Sequence, residues 1–498
     1  MLKKILAIHF IFILSSSLFA ITLKDVIKKT LENDFKINIV RENINYYQGK
    51  ALEKNTIFDN NINISSDLKM ESSQSNIYIN NNSKITNDYN YKVSTNKYFQ
   101  NGFLLTGGFA YNESHIDSSN TPTISSSQIF FTLNKELLRN SSAELINADI
   151  KSSKYDIEIA KEQFKIQINN SLYNSISNYW NLLYAYEKSK LDLESKKNAD
   201  KLIENIEELI KFDSKPKADI YQARANLNSK VLNLLTSKET LSDTTYELNK
   251  NIGSSIQNNS YTQKPDDYFP IPKIKDLQKI KNKSFFNTLI SNQNEKLTIL
   301  KYTIKKLELD LLKSNDNLKS NFDVTLQTKY SGNNRTSNPI LGLNTLSNND
   351  VNGKYIGITF KYELPIQNSF AKGNIISNRS KIKQKRVELD ELKNELSYNL
   401  HKLLFNIETT ILRFEEITYS INNYEEALKN EKLKYTMGLS TILDIIQTND
   451  NLYSEKIKRL STLKDYALKI LELHYITSSI TKKDLHLSVD YNKFFLIK

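Results

Sequence analysis

The chain has 498 residues, of which 11 are Gly, 7 are Pro and none is Cys. The lack of Cys excludes disulfides, thiolate metal sites and a cysteine nucleophile, and the scarcity of Gly and Pro indicates long elements with few turns. The formal net charge is +12, but 68 basic residues are interleaved with 56 acidic ones, so we expect no nucleic-acid partner.

The first 20 residues, MLKKILAIHFIFILSSSLFA, have the three parts of a secretory signal: a basic start, an apolar run at 5–14 and a small-residue exit to Ala20. An uncleaved anchor is the alternative, but the apolar run is shorter than the roughly 20 residues of a spanning helix. We therefore predict a signal peptide over 1–20. No later stretch resembles a spanning helix, so a chain retained in a membrane is expected to form a barrel.

Helical and then strand-like patterns follow. Residues 22–56 have apolar side chains at helical spacing, and Thr22 with Asp25 forms a helix start signal. The period then changes to two, which is typical of strands with one apolar face. The four alternating segments of this part lie at 58–70, 89–93, 103–111 and 129–133.

A long helical hairpin is predicted next. Residues 140–212 contain no Gly or Pro and have apolar residues in steps of three and four. A helix of this length would extend over roughly 100 Å. The segment DSKPK at 213–217 interrupts the pattern, and Pro216 suits the first turn of a returning helix that runs to about residue 252.

The same order of elements recurs after a proline-rich linker at 253–272. The second set consists of a helix at 274–316, strand segments at 322–326 and 356–364, a long helix at 372–437, a turn with the sequence GLST at 438–441, and a returning helix. The fragments DIYQARANLNS at 219–229 and DIIQTNDNLYS at 444–454 match at six of eleven positions, each pair 225 residues apart.

The chain is therefore predicted to be an internal duplication of helix, strands and long helical hairpin. The predicted regions are a first repeat at 21–252, the linker, a second repeat at 273–481 and a C-terminal tail at 482–498. Such hairpins cannot bury their apolar stripes alone, and the strands leave exposed edges that closure into a barrel across subunits would remove. A periplasmic β-domain with one covered face is the alternative for the strands.

The sequence resembles the TolC-like outer-membrane efflux protein family. The resemblance rests on ITLKDVIKKTLENDFKI at 21–37, LNKELLRN at 133–140 and YTMGLSTILDIIQTNDNLYSEK at 435–456. It implies an α+β membrane protein in which three chains form a helical tunnel across the periplasm and a 12-stranded transmembrane β-barrel, with four strands from each subunit. The expected location is the outer membrane of a Gram-negative bacterium. An extra hairpin around 76–100 is expected to be extracellular.

The implied function is a passive export duct of a tripartite efflux or type I secretion system. The implied partners are outer-membrane lipid, a periplasmic adaptor protein and an inner-membrane transporter. The alternative is a surface fibre or adhesin with a coiled-coil stalk and a β-anchor, but such a protein would have a single anchor and no duplication. No HExxH pair, phosphate loop or G-x-S-x-G motif is present, so we expect neither an enzyme nor a cofactor or metal site.

The resemblance also assigns residues to a periplasmic gate. Asp444 matches an acidic position at the constriction, and Gln447 occupies a place where some relatives have a second acidic ring. Asp219 and Tyr435 match positions that tie the inner hairpins together. The implied turn residues are Asp213, which replaces a usual Gly, then Pro216, Gly438, Leu439 and Ser440, the last at a position where an Arg can help lock the gate. In the alternative interpretation, Asp219 and Asp444 only stabilise helix starts and Tyr435 only packs.

Overall fold

The structure is a computed structural model. It describes residues 20–74, 83–117, 123–212, 216–253, 264–280, 294–334, 346, 352–480 and 494. The predicted signal peptide, apart from Ala20, and the predicted tail, apart from Phe494, lie outside the described residues.

Two helices begin the described chain, α1 at Leu23–Asn33 and α2 at Phe35–Asn55. The start of α1 is fixed by a reciprocal capping box, in which Asp25 N donates to Thr22 Oγ1 at 3.2 Å and Thr22 N donates to Asp25 Oδ2 at 3.1 Å. This arrangement satisfies two backbone donors that a helix start otherwise leaves without a partner. The start signal read from the sequence is confirmed.

Six strands form one antiparallel sheet in the order β1-β2-β3-β4-β5-β6. Their bounds are Asn61–Gln74, Ser83–Tyr98, Phe103–Asp117, Ile124–Glu136, Asn321–Asn334 and Asn352–Glu363. The prediction of four strands per chain is therefore wrong. The extra hairpin expected around 76–100 is instead β2–β3, which extends over 83–117 and lies within the sheet, paired with β1 on one side and β4 on the other.

The register gives the sheet one apolar face and one polar face, since residues that pair across antiparallel strands point to the same side. One row of paired residues runs Ile64, Val93, Phe109, Ile129 and Tyr330. The apolar face also includes Ile62, Leu68, Met70, Phe131, Leu326, Ile356, Ile358 and Phe360. The opposite face includes Asn63, Asp67, Lys69, Lys92, Asn112, Gln128, Lys329 and Lys361.

The remaining helices include two very long ones. In chain order the helices are α3 at Ala143–Ile146, α4 at Ala148–Lys211, α5 at Ala218–Asn251, α6 at Lys275–Ile280, α7 at Glu295–Asp316, α8 at Ser369–Thr436 and α9 at Ile442–Ile476. Helix α4 has 64 residues and α8 has 68. Among the described residues, no helix combines the length and apolar character of a membrane span.

The chain divides into two compact units. One consists of residues 1–42, 161–298 and 390–498, and the other of 43–160 and 299–389. The first unit contains the described residues at the ends of both helical hairpins, and its core includes the predicted seam residues Leu172, Ile176 and Tyr179 of α4. The second unit contains the six-stranded sheet. Each unit contains segments from both predicted repeats. The boundaries of the repeats stay a prediction.

Candidate functional site

The turn between α8 and α9 depends on one glycine. Gly438 has φ of 78°, a left-handed conformation that costs other residues energy. Leu439 N donates to Lys434 O at 2.8 Å and Gly438 N donates to Tyr435 O at 3.1 Å, so two of the carbonyls in the last turn of α8 have partners. A Cβ at Gly438 would meet no atom within 4 Å. The backbone conformation, rather than crowding, therefore favours glycine here.

Asp444 caps the start of α9. Its carboxylate accepts from Thr441 N at 2.9 Å, and Asp444 N donates to Thr441 Oγ1 at 3.3 Å. The hydrogen bond from the Thr441 hydroxyl is the main cause that lowers the pKa of Asp444. The side chain is exposed. Asp444 therefore carries its charge at the surface of the turn while it stabilises the helix locally.

Ser440 joins the turn to the last part of α8. Its hydroxyl donates to the carboxylate of Glu431, which also pairs with Lys434 Nζ at 3.2 Å. The Ser440 hydroxyl and then Lys434 lower the pKa of Glu431. Ser440 also lies 3.3 Å from Asp444 Oδ2. The residue in the place of the expected Arg thus makes a short-range link within the second hairpin.

Tyr435 connects the two hairpins. Its phenol donates to Asp219 Oδ2 at 3.1 Å, across a sequence separation of 216 residues. Tyr435 is only 4% exposed, and burial, followed by the charge of Asp219, raises the pKa of Tyr435 to about 12. Asp219 lies in the first turn of α5, where no described side chain caps the helix start. The two repeated aspartates therefore differ, since Asp444 binds its own helix start and Asp219 binds the other hairpin.

An apolar cluster surrounds this hydrogen bond. It consists of Ile206 of α4, Ala223 of α5, Ile421, Leu428 and Tyr435 of α8, and Ile442, Ile445 and Leu452 of α9. All four hairpin helices contribute to it. The cluster excludes water from the Tyr435 phenol and so strengthens its hydrogen bond to Asp219.

A second polar group joins α5 to α9 farther from the turns. Lys230 Nζ lies 2.5 Å from Asp450 Oδ1, and Asn226 Nδ2 donates to Asp450 Oδ2 at 3.4 Å. Lys230 is 5% exposed, and its ammonium is 5.3 Å from the ring centroid of Tyr453. Sequence analysis missed this group. The available signal was the repeated Asn226, one helical turn before Lys230.

Asp192 of α4 adds a connection to α9. It accepts a hydrogen bond from the Tyr453 hydroxyl and pairs with Lys188 at 3.0 Å. Asp192 is 1% exposed, so its charge depends on these donors. The long helices are therefore joined by several charged or polar pairs as well as by their apolar seams.

The other predicted site residues that the structure describes do not belong to the apolar cluster around Tyr435. Gln447 is exposed and its amide donates to Asn451 Oδ1 at 3.2 Å within α9. Pro216 precedes α5 and accepts from Asp219 N at 3.2 Å. Asp213 lies outside the described residues. Within the described chain, no group of three or more His, Asp or Glu residues is arranged to hold a metal ion.

Comparison with known structures identifies the fold. The chain is similar to the CmeC outer membrane channel of Campylobacter jejuni, with a TM-score of 0.63 and 14% identity over 92% of this chain and 85% of that one. It is similar to the outer membrane protein VceC of Vibrio cholerae, with a TM-score of 0.62 and 12% identity over 92% and 95%. The fold is that of the TolC-like outer-membrane channels.

The open-state MtrE outer membrane channel of Neisseria gonorrhoeae is similar as well, with a TM-score of 0.62 and 12% identity over 92% of this chain and 88% of that one. No protein-family model and no curated protein sequence matches the chain. The predicted TolC-like architecture of long helical hairpins and a sheet is confirmed, apart from the number of strands. The matched structures are outer membrane channels.

Proposed function

We propose that the chain is a passive export duct in the outer membrane of a Gram-negative bacterium. Three copies would form the duct, with the sheets in the outer membrane and the helical hairpins in a periplasmic tunnel. A periplasmic adaptor protein and an inner-membrane transporter would supply the cargo and the energy, in a tripartite efflux or type I secretion system. The TolC-like fold supports this proposal.

The observation that carries the proposal is the two-faced sheet. On its apolar face, Ile64, Met70 and Ile356 are 78%, 76% and 77% exposed in the single chain. An apolar face of this extent is costly in water, at roughly 25 cal/mol for each Å² of apolar area, and suits contact with lipid tails. The polar face, with side chains such as Lys92 and Gln128, suits a water-filled lumen.

In this proposal the hairpin turns form the gate. The Tyr435–Asp219 hydrogen bond would hold the hairpins together in the closed state, and three exposed Asp444 carboxylates would form an acidic ring at the mouth. Gln447, one turn farther along α9, would leave that ring without a second layer of charge. An acidic ring attracts cations and raises their local concentration, so the open duct is expected to prefer cations.

The test is conductance of the purified trimer in planar bilayers, with reversal potentials measured across a salt gradient. The wild type is expected to form cation-preferring channels, and Asp444→Asn should reduce that preference while it keeps an oxygen acceptor for Thr441. Asp243→Asn is the matched control, because Asp243 is an exposed carboxylate on α5 away from the turns.

The outcomes separate the two parts of the proposal. A preparation without channels would refute the duct and favour the fibre or adhesin. Channels whose cation preference is unchanged by Asp444→Asn would leave the duct in place and refute the acidic ring.

A further inference from the structure

The number of strands in each chain sets the size of any barrel that the chains can form. Each chain contributes six strands to a continuous sheet, and within the described residues β1 and β6 each pair on one side only. Neither edge strand contains Pro, a residue that natural proteins use to block edge pairing. Both edges are therefore open to a further strand.

We propose that three copies close an 18-stranded barrel, in which β1 of one copy pairs with β6 of the next. This inference rests on the proposed trimeric duct and gives it a specific width. Successive strands in the sheet are antiparallel, so the first and sixth strands run in opposite directions. Closure between copies then continues the antiparallel pattern without a break.

The two edge strands also match in length and in pattern. Strand β1 has 14 residues and β6 has 12. Each presents strongly exposed apolar side chains on the same face of the sheet, Ile62 and Ile64 on β1 and Ile356 and Ile358 on β6. Pairing of β1 with β6 would therefore join the two ends of the apolar face into a closed band.

The hairpin β2–β3 is part of the wall. Strand β1 pairs with β2 over the whole range Asn61–Gln74, and β3 pairs with β4 from Phe103 to Ser114. A barrel with four strands from each chain would require these ladders to separate and β1 to pair directly with β4. One row of apolar residues also crosses β2 and β3 without interruption, from Ile64 through Val93 and Phe109.

The width follows from the strand number. With strands about 4.8 Å apart and tilted by about 40°, 18 strands give a backbone diameter of about 36 Å, whereas 12 strands give about 24 Å. The duct would therefore be about 1.5-fold wider at the membrane than a twelve-stranded barrel.

Cysteine cross-linking tests the closure, because the chain has no native Cys. Ser65→Cys on β1 is combined in turn with Gly357→Cys, Thr359→Cys or Lys361→Cys, which lie on the same polar face of β6. Within one chain these strands are separated by four others, which is too far for a disulfide. Oxidation should give dimers and trimers on denaturing gels. The control pair, Ser65→Cys with Lys92→Cys, lies directly opposite within one chain and should give only cross-linked monomer.

A monomer cross-linked between β1 and β6 would refute closure between copies. Failure of all three β1–β6 pairs in trimers that accept the control cross-link would refute it too.

Electron cryo-microscopy of the full-length trimer tests the strand number. Eighteen strands are expected. A twelve-stranded wall with β2–β3 outside it would overturn the inference, and conducting channels with that wall would leave the proposed duct standing. A variant lacking residues 83–117 joins β1 to β4 by a loop and should form a barrel of 1.5-fold smaller diameter. An unchanged diameter in this variant would also contradict the inference.

Discussion

Removal of the Tyr435 hydroxyl should favour the open state of the duct. In Tyr435→Phe the aromatic ring stays in the apolar cluster, and the 3.1 Å hydrogen bond from the phenol to Asp219 is lost. Hydrogen bonds to charged groups contribute about 1.5–3 kcal/mol. Asp219 is half-buried and water can replace the phenol as its donor, so the lower end of that range applies. A loss of about 1.5 kcal/mol corresponds to a change of about tenfold in an equilibrium constant for each chain.

The assay is the open fraction of single channels at fixed voltage. If the bond breaks on opening, Tyr435→Phe should raise the ratio of open to closed time at least about tenfold. If the bonds of all three chains break together, the factors for the three chains multiply. Tyr424→Phe is the control, because Tyr424 lies in α8 and packs against the same cluster. Equal open fractions in the two variants would refute the role of the bond. In a double-mutant cycle with Asp219→Ala, the two effects should not add.

Three further predictions concern stability and ionisation in the helical hairpins. The pKa of Tyr435 is raised to about 12, above the tyrosine reference of about 10. The stabilisation of the folded state by the protonated Tyr435 phenol should therefore be complete below pH 10 and lost as the pH rises through 12. An ultraviolet difference titration of wild type minus Tyr435→Phe should have its midpoint near pH 12. Asp450→Ala should lower the free energy of unfolding by about 3 kcal/mol in denaturant unfolding, because it leaves the buried Lys230 ammonium without its carboxylate. Lys230→Met should lower it by less than about 1 kcal/mol. Equal losses in the two variants would contradict this account. Gly438→Ala should lower the free energy of unfolding by about 1–2 kcal/mol, because residue 438 has a positive φ. Gly373→Ala inside α8, where a Cβ meets no atom within 4 Å, should raise it by about 0.5–1 kcal/mol. Melting temperatures that shift in the same direction in both variants would contradict this reasoning.

The long helices were the most predictable part of the fold. Uninterrupted spacing of three and four over 140–212 and 372–437 corresponds closely to the helices Ala148–Lys211 and Ser369–Thr436. Such patterns persist over many turns, so local sequence is sufficient. Strand lengths were less predictable. The segment read at 89–93 is the centre of a strand that extends over Ser83–Tyr98. The flanks were missed because they are polar apart from Ile85 and Tyr98 and therefore lack a clear alternation.

The strand number and much of the site required the three-dimensional structure. Alternation predicted six strand-like segments, but it contains no information about which strands pair, and the family resemblance favoured four. The bond between Tyr435 and Asp219 was inferred from resemblance alone. The pair of Lys230 and Asp450 joins residues 220 positions apart. The repeated Asn226 marks this part of α5, but it does not show that Lys230 is buried against a carboxylate of the other hairpin.

The β2–β3 hairpin suggests how proteins with this architecture can differ in the diameter of the barrel. A hairpin begins and ends on the same side of the membrane, so its insertion between β1 and β4 adds two strands to the circumference without changing the direction of either strand. In an assembly of three identical chains, one such insertion enlarges the ring by six strands at once. The diameter of such a barrel can thus change in steps of six strands, through one hairpin insertion in each chain.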